Sequence, residues 1–207
     1  MKIYDPDIQA GKPRPNRRSI RLRGYDYSQE GLYFITICVQ NRECLFGEIV
    51  VGAGFARPDE IARPEMQLNE YGNIVENEWK NLQIKYPNID LHEYIVMPNH
   101  IHGILQIVTP FVAAVTMGDT IGGQTPPLRC ADKNVRPYIP TLGNVIAYFK
   151  YQTTKQIDLP TKLWQRNYHE HIIRNENSYQ TISEYIINNP AKWNADRFYP
   201  KNNNEIK

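Results

Sequence analysis

The chain is poor in cysteine. Cys38, Cys44 and Cys130 are too few and too scattered in 207 residues for a disulfide framework or a close metal-binding pair, and an odd count fits a reducing compartment. No apolar run approaches the roughly 20 residues that cross a bilayer, so no membrane contact is expected. Residues 1–15 carry no apolar segment of the kind found in secretory signals, so a cytoplasmic location is expected. Internal repeats are absent, and the net charge is only +2. That charge is unevenly placed. Residues 1–23 hold seven basic side chains against Asp5 and Asp7, a local +5, which leaves −3 for the rest of the chain. A basic arm on a near-neutral body fits nucleic-acid contact, and it equally fits a solubilising tail. What is present in quantity is ordinary core material: 41% hydrophobic and 22% charged residues point to one globular domain.

The most informative stretch is Met97-Pro98-Asn99-His100-Ile101-His102-Gly103. It lies in the apolar, β-branched run from Tyr94 to Val108, which reads as buried strand. On a strand, residues i and i+2 share a face. His100 and His102 therefore stand side by side while Ile101 points into the core. Two adjacent imidazoles suit a divalent metal ion; two core histidines, each satisfied by a hydrogen bond, would have the same pattern. Asn99 falls at a Pro-Asn turn that splits the run into two strands, one ending at Met97 and one spanning His100 to Ile107.

Elsewhere, Leu32 to Val39 reads as a strand, followed by a turn at Gln40-Asn41-Arg42 and a weaker strand near Cys44 to Val51. Helical spacing marks Glu70 to Lys85, Leu142 to Ile157 and about Ser178 to Asn188, the last stopped by Pro190. Trp164 to Ile173 looks extended. Residues 52–65 and 109–140 are rich in Gly and Pro and read as irregular insertions. The expected organisation is a basic arm (1–23), a domain (24–198) carrying both insertions, and a short tail (199–207). The order of elements suits an α+β sandwich, an antiparallel sheet covered by helices on one face.

His100-Ile101-His102, the segment Leu163 to Glu176 and the helix Glu184-Tyr185-Ile186-Ile187-Asn188-Asn189-Pro190 occur in this order. Together they closely resemble the REP-associated tyrosine transposases of the HUH endonuclease superfamily, over about residues 19–50 and 66–198. The resemblance implies a ferredoxin-like αβ sandwich with a central antiparallel sheet. It also implies cleavage and rejoining of single-stranded DNA at REP-type hairpin repeats, and a nucleoid-associated monomer or homodimer. Tyr185 would be the nucleophile, forming a covalent 5′-phosphotyrosine. His100 and His102 would hold a divalent metal, Mg²⁺ or Mn²⁺, with Asn189 as third ligand in a position often occupied by Gln. Arg17, Arg18, Arg21 and Arg23, close to Tyr25 and Tyr27, are expected to contact DNA, with Lys150. The alternative is a catalytically weak hairpin-binding protein of the same fold.

The chemistry is consistent with these residue types. Neutral imidazoles and an amide bind a cation without adding negative charge that would repel DNA. A phosphotyrosine preserves the energy of the phosphodiester, so a free 3′-hydroxyl can reverse the attack. Tyrosine has an ordinary pKa near 10 and needs help to lose its proton; no base is identifiable from the sequence. His169 and His171 repeat the His-x-His spacing around the charged Glu170, and are expected to be structural or DNA-facing. Residues 51–64 admit a GC-rich, self-complementary coding sequence, which suggests a hairpin repeat that landed in the gene and now encodes a surface loop.

Overall fold

The strand β1 (Gly31–Cys38) organises the domain because its two faces have different tasks. Tyr33, Ile35 and Ile37 point to one side and are fully buried. Leu32, Phe34, Thr36 and Cys38 point to the other. β1 pairs antiparallel with both β5 (His100–Ile107) and β6 (His169–Ile173), and β4 (Ile89–Met97) adds to β5, giving the order β4-β5-β1-β6. This computed structural model describes residues 21–22, 24–51, 63–108 and 140–200. Arg17, Arg18 and Arg23 of the basic arm lie outside the described residues, as do positions 52–62, 109–139 and 201–207.

Helices α1 (Glu70–Lys85) and α2 (Leu142–Ile157) cover the first face, with Val75, Trp79 and Leu82 meeting Val145, Ile146 and Phe149 over Ile35, Ile101 and Leu105. Each helix begins at a side-chain cap, Asn69 accepting from the Gly72 N–H and Thr141 from that of Asn144. Gly103 is required by this packing: a Cβ there would collide with the Trp79 ring. α3 (Glu176–Ile187) lies on the opposite face, where Ile186 packs with Ile104 and Ile173. The expectation of helices on one face only is therefore corrected. The α3 apolar stripe is short, and its periodicity marks a buried side without saying which face of the sheet it meets.

Three further differences from the sequence reading follow from tertiary pairing. The strand near Cys44 begins at Gly47 and stays out of the main sheet; β2 (Gly47–Val51) pairs with β3 (Pro64–Leu68), a strand with weak sequence signal because it is only five residues long and opens on a proline. The insertion expected over 52–65 therefore ends before Pro64, which pairs with Val51 across the ribbon. The extended segment from Trp164 becomes β6 only at His169; before it, Trp164 makes an isolated bridge to Val39. Among the described residues no helix is long and apolar enough to cross a membrane.

Candidate functional site

The face of the sheet under α3 carries the two histidines. His100 and His102 are adjacent on that face, essentially inaccessible to solvent, with ring centroids 4.4 Å apart, while Ile101 lies in the core beneath α1 and α2. The arrangement expected from strand periodicity is thus present. Phe198 caps the pair, its ring 4.6 Å from that of His100 and 6.0 Å from that of His102.

Asn99 determines the proton on His100. Its amide nitrogen donates to two carbonyls, Arg42 O at 3.1 Å and Phe198 O at 2.8 Å. Its Oδ1 therefore accepts, and the partner at 2.8 Å is His100 Nδ1, which must carry hydrogen. His100 Nε2 is left as a bare acceptor. It is buried with no partner, which is how an imidazole waiting for a cation presents itself. His102 is held in place by Thr36, whose Oγ1 lies 2.8 Å from Nδ1. Burial depresses both histidines, with the Arg197 charge helping: His100 falls to about 3, with Arg42 also contributing, and His102 lies well below its ordinary value, with His100 and His169 adding to the effect. Both rings are neutral near pH 7, the form that ligates metal.

α3 and the turn after it bring the remaining groups. Tyr185 Oη lies 3.2 Å from His102 Nε2 and donates to Asp196 Oδ2 at 3.4 Å. Asn189 lies past the last helical residue but keeps helical angles (φ −59°, ψ −42°), so it stays near Tyr185. Its Nδ2 donates to the same Asp196 oxygen at 3.4 Å, and its Oδ1 is buried without a partner. Burial and the Asp196 carboxylate hold the Tyr185 phenol above its ordinary pKa.

Asp196 is the residue that sequence reasoning missed. Its carboxylate and the two imidazoles offer ligand atoms that all lie within 4.8 Å of one another. No spacing rule marks it, because a 3-10 segment (Pro190–Ala195) folds the chain back to the site. The signal available was indirect: Trp193 and Phe198 are large apolar residues in a polar tail, and both are buried beside Met97. Two unpartnered acceptors, a second imidazole nitrogen and a carboxylate form a mixed N/O donor set of the kind that suits a divalent ion.

The other expected residues take different places. Lys150 donates to three backbone carbonyls, Gln165, Arg166 and Asn167 at 2.9, 3.4 and 3.1 Å, and burial lowers it to about 8. Its ammonium therefore braces the loop before β6. Arg21 donates to Tyr168 Oη at 2.7 Å and approaches the buried Glu170 at 3.9 Å. His169 and His171 are exposed on edge strand β6, opposite Thr36 and Phe34, and so belong to the site face.

The fold defined by this sheet and these three helices is shared with a solved structure described as the REP-associated tyrosine transposase bound to a REP hairpin: TM-score 0.50, 16% identity, 86% of this chain and 74% of that one. A putative transposase from Deinococcus radiodurans R1 aligns with TM-score 0.40 and 14% identity over 81% of this chain and 95% of that one. No model of a known protein family matches the sequence. The chain is 38% identical over 187 residues to an uncharacterized protein of Haemophilus influenzae, spanning 89% of this chain and 93% of that protein, and it belongs to that protein's family.

Proposed function

We propose that this protein is a metal-dependent enzyme that nicks and rejoins single-stranded DNA beside hairpin repeats, with Tyr185 as nucleophile. The observation that carries the reading is the placement of the Tyr185 hydroxyl 3.2 Å from His102 Nε2, next to a His100 Nε2 that is buried and unpartnered. A tyrosine that only packs in the core has no need of an unsatisfied imidazole beside it. The REP hairpin bound by the transposase of the same fold supports DNA hairpins as the substrate class.

His100, His102 and Asp196 would hold the cation, with the Asn189 carbonyl completing the donors. Mg²⁺ and Mn²⁺ both suit this set, imidazole favouring Mn²⁺. When bound, the ion supplies neutralisation of the phosphate and lowers the barrier to losing the phenol proton.

The protein groups do the rest. The phenol gives up its proton, Tyr185 Oη attacks phosphorus, a P–O bond to Tyr185 forms, and the bond to the departing 3′ oxygen breaks. That oxygen takes up a proton as the 3′-hydroxyl, and a 3′-hydroxyl attacking the phosphotyrosine runs the sequence backwards without ATP. Asp196 holds the phenol hydrogen in the resting state and so aims the oxygen. Phe198 and α3 exclude water from the histidine side of the site.

The test is incubation of single-stranded hairpin DNA with the protein and Mn²⁺, read on denaturing gels for a covalent protein–DNA adduct. An adduct that disappears in Tyr185→Phe supports the reading. Cleavage that survives Tyr185→Phe identifies a water-dependent phosphodiesterase instead, and tight hairpin binding with no adduct identifies a binding protein.

A further inference from the structure

Beside the metal-ligand cluster, two arginines flank one phenylalanine. The Arg197 guanidinium lies 4.5 Å from the centre of the Phe198 ring and the Arg42 guanidinium 5.2 Å from it. Arg42 also donates to the Arg197 carbonyl at 3.1 Å. Both arginines are exposed, and among the described residues neither forms an ion pair. Like charges on one ring repel unless an anion joins them, and no carboxylate among the described residues bridges this pair.

The backbone supports the same reading. Asn41 and Arg42 adopt consecutive left-handed conformations, φ 58° and 59°, with neither residue a glycine. The left-handed form is tolerated by asparagine but unfavourable by about 1 kcal/mol or more for Arg42, and persists there only where its surroundings enforce it. Here Asn99 does so, by donating to the Arg42 carbonyl. The same Asn99 fixes the Phe198 carbonyl and orients His100. One buried amide thus ties the ring that carries the two arginines to the histidine that would carry the metal.

We infer that Arg42 and Arg197, both packed against Phe198, form a clamp for backbone phosphates of the single strand next to the phosphodiester attacked by Tyr185. This rests on the DNA-cleaving reading above. Phe198 is 5% exposed, so it offers no stacking platform, and the clamp grips phosphates without reading bases. Guanidinium, with paired donors in a plane, matches a phosphodiester oxygen pair.

The experiment uses full-length Tyr185→Phe protein with Mn²⁺, so that binding is measured without cleavage. Fluorescein-labelled oligothymidylate is titrated at several KCl concentrations. Two phosphate contacts on a single strand contribute about 0.7 each to the slope of log affinity against log salt. The pair Arg42→Gln with Arg197→Gln is expected to flatten that slope by about 1.4, while Mn²⁺ binding, followed by electron paramagnetic resonance, is not weakened. Arg42→Lys with Arg197→Lys is expected to restore the slope. An unchanged slope in the glutamine pair overturns the clamp. So does loss of both slope and Mn²⁺ binding without rescue by the lysine pair, which would make the arginines mere braces. If the parent protein binds hairpin DNA but no oligothymidylate at any salt concentration, the clamp fails alone; if it binds neither, the DNA reading fails and the clamp with it.

Discussion

Asn99→Ala is the sharpest test of how the site is built. The side chain is fully buried and makes three hydrogen bonds, two to carbonyls on distant segments and one to His100. At about 1 kcal/mol net for each bond, their loss destabilises the fold by about 3 kcal/mol, and more if the carbonyls remain dry and unpaired. For a domain of this size that is a fall in melting temperature of about 6–12 °C, measurable by thermal denaturation in EDTA. His100 also loses the acceptor that keeps hydrogen on Nδ1, so Mn²⁺ affinity is expected to drop about 10- to 100-fold. Asn99→Asp separates the two effects. It keeps an acceptor for His100 Nδ1 and removes both donors, so stability should fall while Mn²⁺ affinity is retained or rises. If Asn99→Asp and Asn99→Ala lose metal affinity equally, Asn99 does not set the tautomer of His100, and the derivation of a bare Nε2 is wrong.

Three other outcomes are expected. Because His100 and His102 are depressed in the folded state, the unfolded chain binds more protons below its histidine pKa of 6.5; their contribution is present in full above that value and is lost progressively as pH falls below it, at up to about 1.4 kcal/mol per pH unit for each ring. Urea denaturation of the metal-free protein from pH 7 to pH 5 checks this, and a flat profile contradicts it. Asp196→Asn removes the carboxylate that raises Tyr185, so ultraviolet titration of the phenol should shift downward, while Mn²⁺ binding by calorimetry weakens about tenfold or more. Gly103→Ala forces a methyl into the Trp79 ring and should cost about 1–3 kcal/mol in chemical denaturation, with no change if the indole can slide away.

Much of this architecture is local in origin and therefore legible in the chain. Apolar runs rich in β-branched and aromatic residues predict β1 and β5, and the two-residue repeat of a strand by itself puts His100 and His102 on one face. Helical spacing predicts α1 and α2 at their observed limits, and the spacing of Tyr185 and Asn189 brings both to one side of α3 and its turn. These features depend on backbone geometry within a few residues, which composition and spacing encode directly. The resemblance to tyrosine transposases rests on the same local motifs, and the fold agrees with it.

Other features required the tertiary structure. A stripe on α3 does not say which face of the sheet it will cover. β3 exists because β2 is there to pair with it. Asp196 reaches the histidines through a turn that is stabilised by Trp193 and Phe198 packing beside Met97, a contact between distant parts of the chain. Lys150 carries the same formal charge on a solvated surface or against three carbonyls, and only the neighbouring loop decides which. Asn99 reads as a turn residue in the sequence, and it is one. Its role as the joint between three segments arises because two carbonyls and an imidazole, none adjacent to one another in sequence except through Asn99 itself, must all find partners away from water.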